Sequence, residues 1–235
     1  MNGKPLIDWA WVGGHLDDIA MRTVQHLEIA LIAIVVGFAI SFGLSLWAVR
    51  YRRAFAPITG VAGVLYTIPS LALFAALVPI TRLSLLTAEI PLVLYSLLIL
   101  IRNIVAGFDA VPSDVVEAAD GMGFSRTGRL WRIELPLAIP LIVAGLRLAS
   151  VSTIGLVTIA ALLGDKFGGL GVFITDGLQT FFPTKVYVGA VLSVGLALVV
   201  DLTFVLLQRR LTPWSRAQDA PTGREQRGPS GLAGA

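Results

Sequence analysis

Residues 112–136 read PSDVVEAADGMGFSRTGRLWRIELP, a polar stretch set between long apolar runs. Ser113 or Asp114 can cap a helix start, and Glu117 follows in the first turn, where negative charge suits the helix dipole. Val115, Val116, Ala118 and Ala119 give a small, smooth apolar surface. Gly121 and Gly123 end that helix. Ser125 can cap a second one, which carries Leu130, Trp131 and Ile133, and Pro136 opens the next apolar run. The spacing predicts two short helices joined by a glycine turn. Such an element fits a groove in a partner, apolar face inward. Arg126, Arg129 and Arg132 equally suit a helix lying on lipid headgroups. Residue chemistry alone leaves both readings open.

Outward from this stretch the chain is a membrane protein. It has 235 residues, 56% of them hydrophobic and only 14% charged, against about 25% charged in an average soluble domain. Mean hydropathy is +0.82. These values exclude an ordinary cytosolic enzyme and a disordered protein. Without cysteine there is no disulfide, thiolate metal site or cysteine nucleophile. Two histidines, His15 and His26, leave little for a zinc site or a histidine triad. A bilayer crossing needs about 20 apolar residues. Five runs qualify: 27–49, 54–81, 83–101, 137–163 and 186–207. The third is weakened by Glu89. The expectation is an all-α membrane protein with five transmembrane helices.

The basic residues test this count. Cytoplasmic loops collect Lys and Arg. With the N-terminus outside, twelve of eighteen fall inside: Arg50, Arg52, Arg53, Arg102, Arg126, Arg129, Arg132, Arg209, Arg210, Arg216, Arg224 and Arg227. Lys4, Arg22, Arg82, Lys166 and Lys185 fall outside. Without the third span the second arginine cluster would lie outside, so the charges favour it. The C-terminus is then cytoplasmic. Residues 1–26 form an extracytoplasmic segment. They lack the apolar core of a signal peptide, with Asp17 and Asp18 where one would lie, and 16–26 reads as a short interfacial helix. Residues 211–235, rich in Gly, Pro and Arg, read as a disordered cytoplasmic tail.

Several residues interrupt the spans. Pro57, Pro69 and Pro79 punctuate the second, either as bends of a packed helix or as a gate near Tyr66, Thr67, Pro69 and Ser70. Gly37, Ser41, Gly43 and Ser45, and likewise Ala144, Gly145, Ser150, Ser152 and Gly155, allow close helix contact. Arg147 and Asp201 are costly at membrane depth. They lie about 15 Å and 9 Å from the same end of their spans, within reach of a long side chain. An ion pair is expected, either fixing helix packing or lining a translocation path. Glu28 and Glu89, near the outer face, read as solvated or snorkelling. Tyr66, Phe74, Tyr95, Phe181 and Phe182 could meet a quaternary ammonium group. Gly164 to Gly171 contains no Gly-Lys-Ser/Thr and lies outside, so it is no phosphate loop. It reads as a flexible loop facing a binding protein, with Asp165, Lys166, Asp176 and Lys185 beside it.

Glu117-Ala118-Ala119, Gly123, Ile133 and Leu135-Pro136, at their spacing over twenty positions, resemble the EAA loop of binding-protein-dependent ABC importer permeases. Further stretches look like the osmoprotectant branch of that family, which imports glycine betaine, carnitine or choline. They include His26-Leu27-Glu28, Tyr66-Thr67-Ile68-Pro69-Ser70-Leu71-Ala72, Leu94-Tyr95-Ser96, Ile101-Arg102-Asn103, Gly121-Met122-Gly123 and Gly145-Leu146-Arg147. Ala160-Ala161-Leu162-Leu163-Gly164 and Gly168-Gly169-Leu170-Gly171 complete the likeness, which runs from His26 to Arg210.

The resemblance implies the methionine-importer-like permease fold over residues 27–210. Glu117, Ala118, Ala119 and Gly123 would be docking and turn positions on an ATP-binding subunit. Ile133, Leu135 and Pro136 would anchor the loop to the following span. Tyr66, Pro69, Ser70, Tyr95, Arg147 and Asp201 are the candidates for the translocation path. The chain itself would bind no cofactor and perform no catalysis, with ATP and Mg on the partner ATPase dimer. A second permease, identical or homologous, and a separate extracytoplasmic binding protein are implied, in a bacterial inner membrane, with lipid and no nucleic acid as surroundings. The alternative substrate is methionine or another small polar solute. A reading of another class is an ion-driven secondary transporter, with Arg147, Asp201 and Glu89 on its route.

Overall fold

The computed structural model describes residues 6–212, and within them every regular element is helical. The tail at 213–235 lies outside the described residues. In chain order the helices are α1 (Trp9–Gly14), α2 (Leu16–Arg50), α3 (Phe55–Thr67), α4 (Ser70–Thr81), α5 (Leu85–Asp109), α6 (Ser113–Gly121), α7 (Arg126–Arg129), α8 (Leu135–Ala160), α9 (Gly171–Gln179) and α10 (Pro183–Leu211). Four continuous stretches are long and apolar enough to cross a membrane: Leu16–Arg50, Leu85–Asp109, Arg126–Leu163 and Pro183–Leu211. The fifth expected span is broken. Arg52–Thr67 and Ser70–Thr81 meet at 93°. Pro69 has no amide to continue the ladder and pushes its predecessor out of helical conformation. Ile68 and Pro69 accordingly hold ψ near 130°. Pro57 falls in the first turn of α3, where no intrahelical donor is needed.

α5 is the centre of the bundle. Sixteen of its 25 residues are buried, and it packs on α2, α3, α4 and α8. α2 meets it with a stripe of Ile29, Ala30, Ala33, Gly37, Ser41, Ser45 and Ala48, at the three- and four-residue spacing of one helix face. A Cβ on Gly37 would overlap Ser96 Oγ, so the small residue sets the α2–α5 distance. Gly145 faces Asn103 in the same way across α8 and α5. Gly43 and Gly155 do not share this role, since both face open space. α10 is peripheral, with only Thr184, Gly189 and Ser193 buried, and it packs on α8 and α9.

α2 begins at Leu16 and runs unbroken past residue 26. The separate interfacial helix expected at 16–26 is therefore the first part of α2. Its 35 residues extend about 52 Å, longer than the roughly 30 Å hydrocarbon core. The projecting end is tied down. Buried His26 bonds through Nε2 to the Ile154 carbonyl at 3.0 Å, and its Nδ1 accepts from the Leu170 amide at 3.3 Å. Gly169, at φ 47°, passes so close that a Cβ would lie 2.6 Å from that of His26. The glycine-rich segment is thus a packed turn at 168–171 rather than a flexible loop. The first helix, α1, rests on this end, with Trp11 against Phe173 and Phe182.

Candidate functional site

At the opposite end of the bundle, α6 forms a nine-residue helix as expected. Its N-cap is Pro112, with Ser113 already helical, and Asp114 takes the first turn while Glu117 sits in the second. Glu117, Ala118 and Met122 are exposed. Ala119 is fully buried within the chain, so it packs α6 rather than presenting a surface. Gly123 at φ 81° makes the turn, a conformation glycine adopts without strain. Ser125 caps the next helix, accepting from the Gly128 amide at 3.1 Å. That helix is not a separate unit. It continues through a π segment, Leu130–Glu134, into α8. The Leu135 amide reaches back five residues to the Leu130 carbonyl, and Pro136, lacking a donor, follows at once. Ile133, Leu135 and Pro136 lie half-buried here. Such π turns are often found at functional positions.

Arg129 was legible only as one of three loop arginines. Its Nη1 lies 2.5 Å from both oxygens of Asp120, and its Nε lies 2.6 Å from Glu134 Oε1. It clamps the end of α6 to the π segment. Arg52 pairs with Asp109, linking the turn after α2 to the end of α5.

Within the bundle, four candidate path residues converge. Tyr66, Pro69, Ser70 and Tyr95 line one cavity of about 400 Å³, together with Ser96 and Ser152. The Tyr66 and Tyr95 rings are 5.6 Å apart at 66°. The Tyr95 hydroxyl donates to the Ile68 carbonyl, which the helix break has freed. Phe74, Phe181 and Phe182 do not join them. Phe74 is 1% exposed in the core and Phe181 is 92% exposed at the far end, while Phe182 packs on Trp11.

Arg147 and Asp201 form the bidentate pair, Nε to Oδ1 at 2.8 Å and Nη2 to Oδ2 at 3.0 Å. They do not reach the tyrosine cavity. They edge a second groove of about 800 Å³ between α8 and α10. Glu89 is buried rather than solvated, and neither carboxylate oxygen has a hydrogen-bond partner among the described residues. Of the four charged residues beside the glycine segment, Asp176 and Lys185 bond each other at 2.5 Å, leaving Asp165 and Lys166 exposed.

A helical bundle with a broken span, a polar cavity at the break and a clamped helix projecting from one end is a multi-pass transport component. Residues 29–213 match the family described as "Binding-protein-dependent transport system inner membrane component", and the chain belongs to it. It is an inner-membrane protein. It is 33% identical over 196 residues to the choline transport system permease protein OpuBB of Bacillus subtilis (strain 168), covering 83% of this chain and 89% of that one. It is 36% identical over 200 residues to the carnitine transport permease protein OpuCB of Listeria monocytogenes, covering 85% and 90%. It is 38% identical over 202 residues to the osmoprotectant import permease protein OsmW of Salmonella typhimurium (strain LT2), covering 83% and 92%. Among solved structures it superposes on a chain of the MetNI methionine ABC transporter, in an inward-facing conformation, with a TM-score of 0.70 at 19% identity, covering 83% of this chain and 96% of that chain. That likeness is one of fold.

Proposed function

We propose that this chain is the permease subunit of an ABC importer for quaternary ammonium osmoprotectants such as glycine betaine, choline or carnitine. The observation that carries the reading is the match along 89–92% of three permeases named for choline, carnitine and osmoprotectant transport. The methionine alternative has only the shared fold in its support. The N-terminus lies outside, and α6 projects into the cytoplasm. There its exposed Glu117 and Ala118 seat in a cleft of an ATP-binding subunit. ATP and Mg are bound on a dimer of that subunit, not on this chain. A second permease, identical or homologous, completes the pathway, and a separate extracytoplasmic protein delivers the solute.

The chain's own contribution is mechanical. When the ATPases close, α6 moves. The Asp120–Arg129–Glu134 clamp passes that movement to the π segment and so to α8. α8 lines both the tyrosine cavity and the Arg147–Asp201 groove, and its displacement opens the path to one side or the other. Solute transport is the test. In proteoliposomes holding permease, ATPase and binding protein, ATP-dependent uptake is expected, and Glu117→Arg should abolish it while the chain stays inserted. Unchanged uptake with Glu117→Arg would refute docking through α6.

A further inference from the structure

The cavity at the Ile68–Pro69 break is lined by no charged residue but by several hydroxyls, those of Tyr66, Ser70, Tyr95, Ser96 and Ser152 among them. The hydroxyl proton of Tyr95 is held by the Ile68 carbonyl. Ser96 donates to the Val93 carbonyl at 2.7 Å and Thr67 to the Val64 carbonyl at 2.7 Å. With those protons turned onto the backbone, these residues offer the cavity lone pairs and ring faces. α3 ends at the break and α4 begins there, so the partial negative charge of one helix end and the partial positive charge of the other meet at the cavity and offset each other. Tyr66, 43% exposed, and Tyr95 set two rings at 66° to each other. The remaining wall includes Ile99 and Leu156. The cavity is thus uncharged and partly apolar, with two tyrosine rings and a ring of hydroxyl groups that both donate and accept.

Each ligand class meets this lining differently. A free anion such as phosphate finds hydroxyl donors but no cationic side chain to balance its charge. A metal ion finds no carboxylate and no cage of converging oxygens. A primary ammonium finds acceptors but loses three strong bonds to water on entering an apolar wall. A quaternary ammonium has no N–H to satisfy, spreads its charge over methyl groups, and is attracted by aromatic faces. The volume of about 400 Å³ lies within the range for small-ligand sites, about 300–1,000 Å³.

We infer that this cavity is an intramembrane binding site for a quaternary ammonium group, with Tyr66 and Tyr95 as its aromatic walls. The inference rests on the permease reading and deepens it by placing a solute site in the permease itself.

The test uses the full transporter in proteoliposomes, with labelled glycine betaine and choline as probes and uptake normalised to the amount of permease that co-purifies with the ATPase. Tyr66→Leu removes the ring, and uptake of both probes is expected to fall at least tenfold. Tyr66→Phe keeps the ring and should retain uptake within about threefold. Replacing Tyr66 by phenylalanines bearing one, two and three fluorines weakens the ring's attraction for cations without changing its shape. Uptake should fall stepwise along that series, which a packing role would not produce. Uptake within twofold of wild type for Tyr66→Leu and for the whole fluorinated series overturns the site and leaves the transporter reading intact. Absence of uptake by the wild-type transporter overturns both.

Discussion

Arg129 and Asp120 join across the glycine turn, with Arg129 Nη1 2.5 Å from both carboxylate oxygens. The bond ties the last turn of α6 to the π segment at the root of α8. Such a pair near the surface adds at most about 1 kcal/mol to stability, so its larger effect is on geometry. Arg129→Gln is expected to leave insertion and assembly with the ATPase near normal while lowering solute moved per ATP hydrolysed severalfold. Parallel measurement of uptake and phosphate release checks this, and an unchanged ratio would remove the clamp from the coupling route.

Neighbouring alanines on α6 should behave in opposite ways. Ala118 is exposed, while Ala119 is fully buried. Ala118→Trp should yield a stable chain that no longer co-purifies with its ATPase. Ala119→Trp overfills a closed space and should lower the melting temperature and the amount of chain recovered. Equal loss of stability in both variants would contradict the assigned face of α6.

The α2–α5 contact makes a paired prediction of its own. Gly37→Val places carbon where Ser96 lies and should cost about 1–3 kcal/mol or force the helices apart. Gly43→Ala adds its Cβ in open space inside a helix and should cost nothing, or raise stability by up to about 1 kcal/mol. Thermal unfolding in detergent distinguishes them.

The bidentate bond between Arg147 and Asp201 holds α8 to α10 although each side chain is 33% exposed. Removing either partner leaves a charge without its counter-ion at membrane depth. Arg147→Ala and Asp201→Ala should each lower the melting temperature by several degrees. The double variant should lose clearly less than the sum of the two single losses. Additive losses would contradict the pair.

Much of this architecture is legible in the chain. Long apolar runs declare the spans because the bilayer demands length and composition alone. Gly123 and Ser125 announce their turn and cap because each has a local chemical reason. The pairing of Arg147 with Asp201 follows from depth, since two isolated charges there need each other. What stayed hidden is tertiary. Pro69 marks a bend, but neither its 93° angle nor the bond to the freed Ile68 carbonyl from Tyr95, on another helix, can be read from local sequence. Glu89 looks solvated from its place near a helix end, and only the packing of α5 at the centre of the bundle buries it. Gly168 to Gly171 has the composition of a loose loop, and its close fit against His26, Ala161 and Thr158 is invisible without the fold. The π segment has no sequence signal beyond the Pro136 that follows it.

The central claim is that this permease carries a quaternary ammonium solute inward. The most direct measurement is uptake of labelled glycine betaine, choline and carnitine, with and without salt stress. The cells compared lack the gene or have it restored, and their other uptake systems for these solutes are removed. Uptake of at least one solute should disappear on deletion, return with the wild-type gene, and fail to return with Glu117→Arg. Equal uptake of all three solutes with and without the gene would contradict the claim.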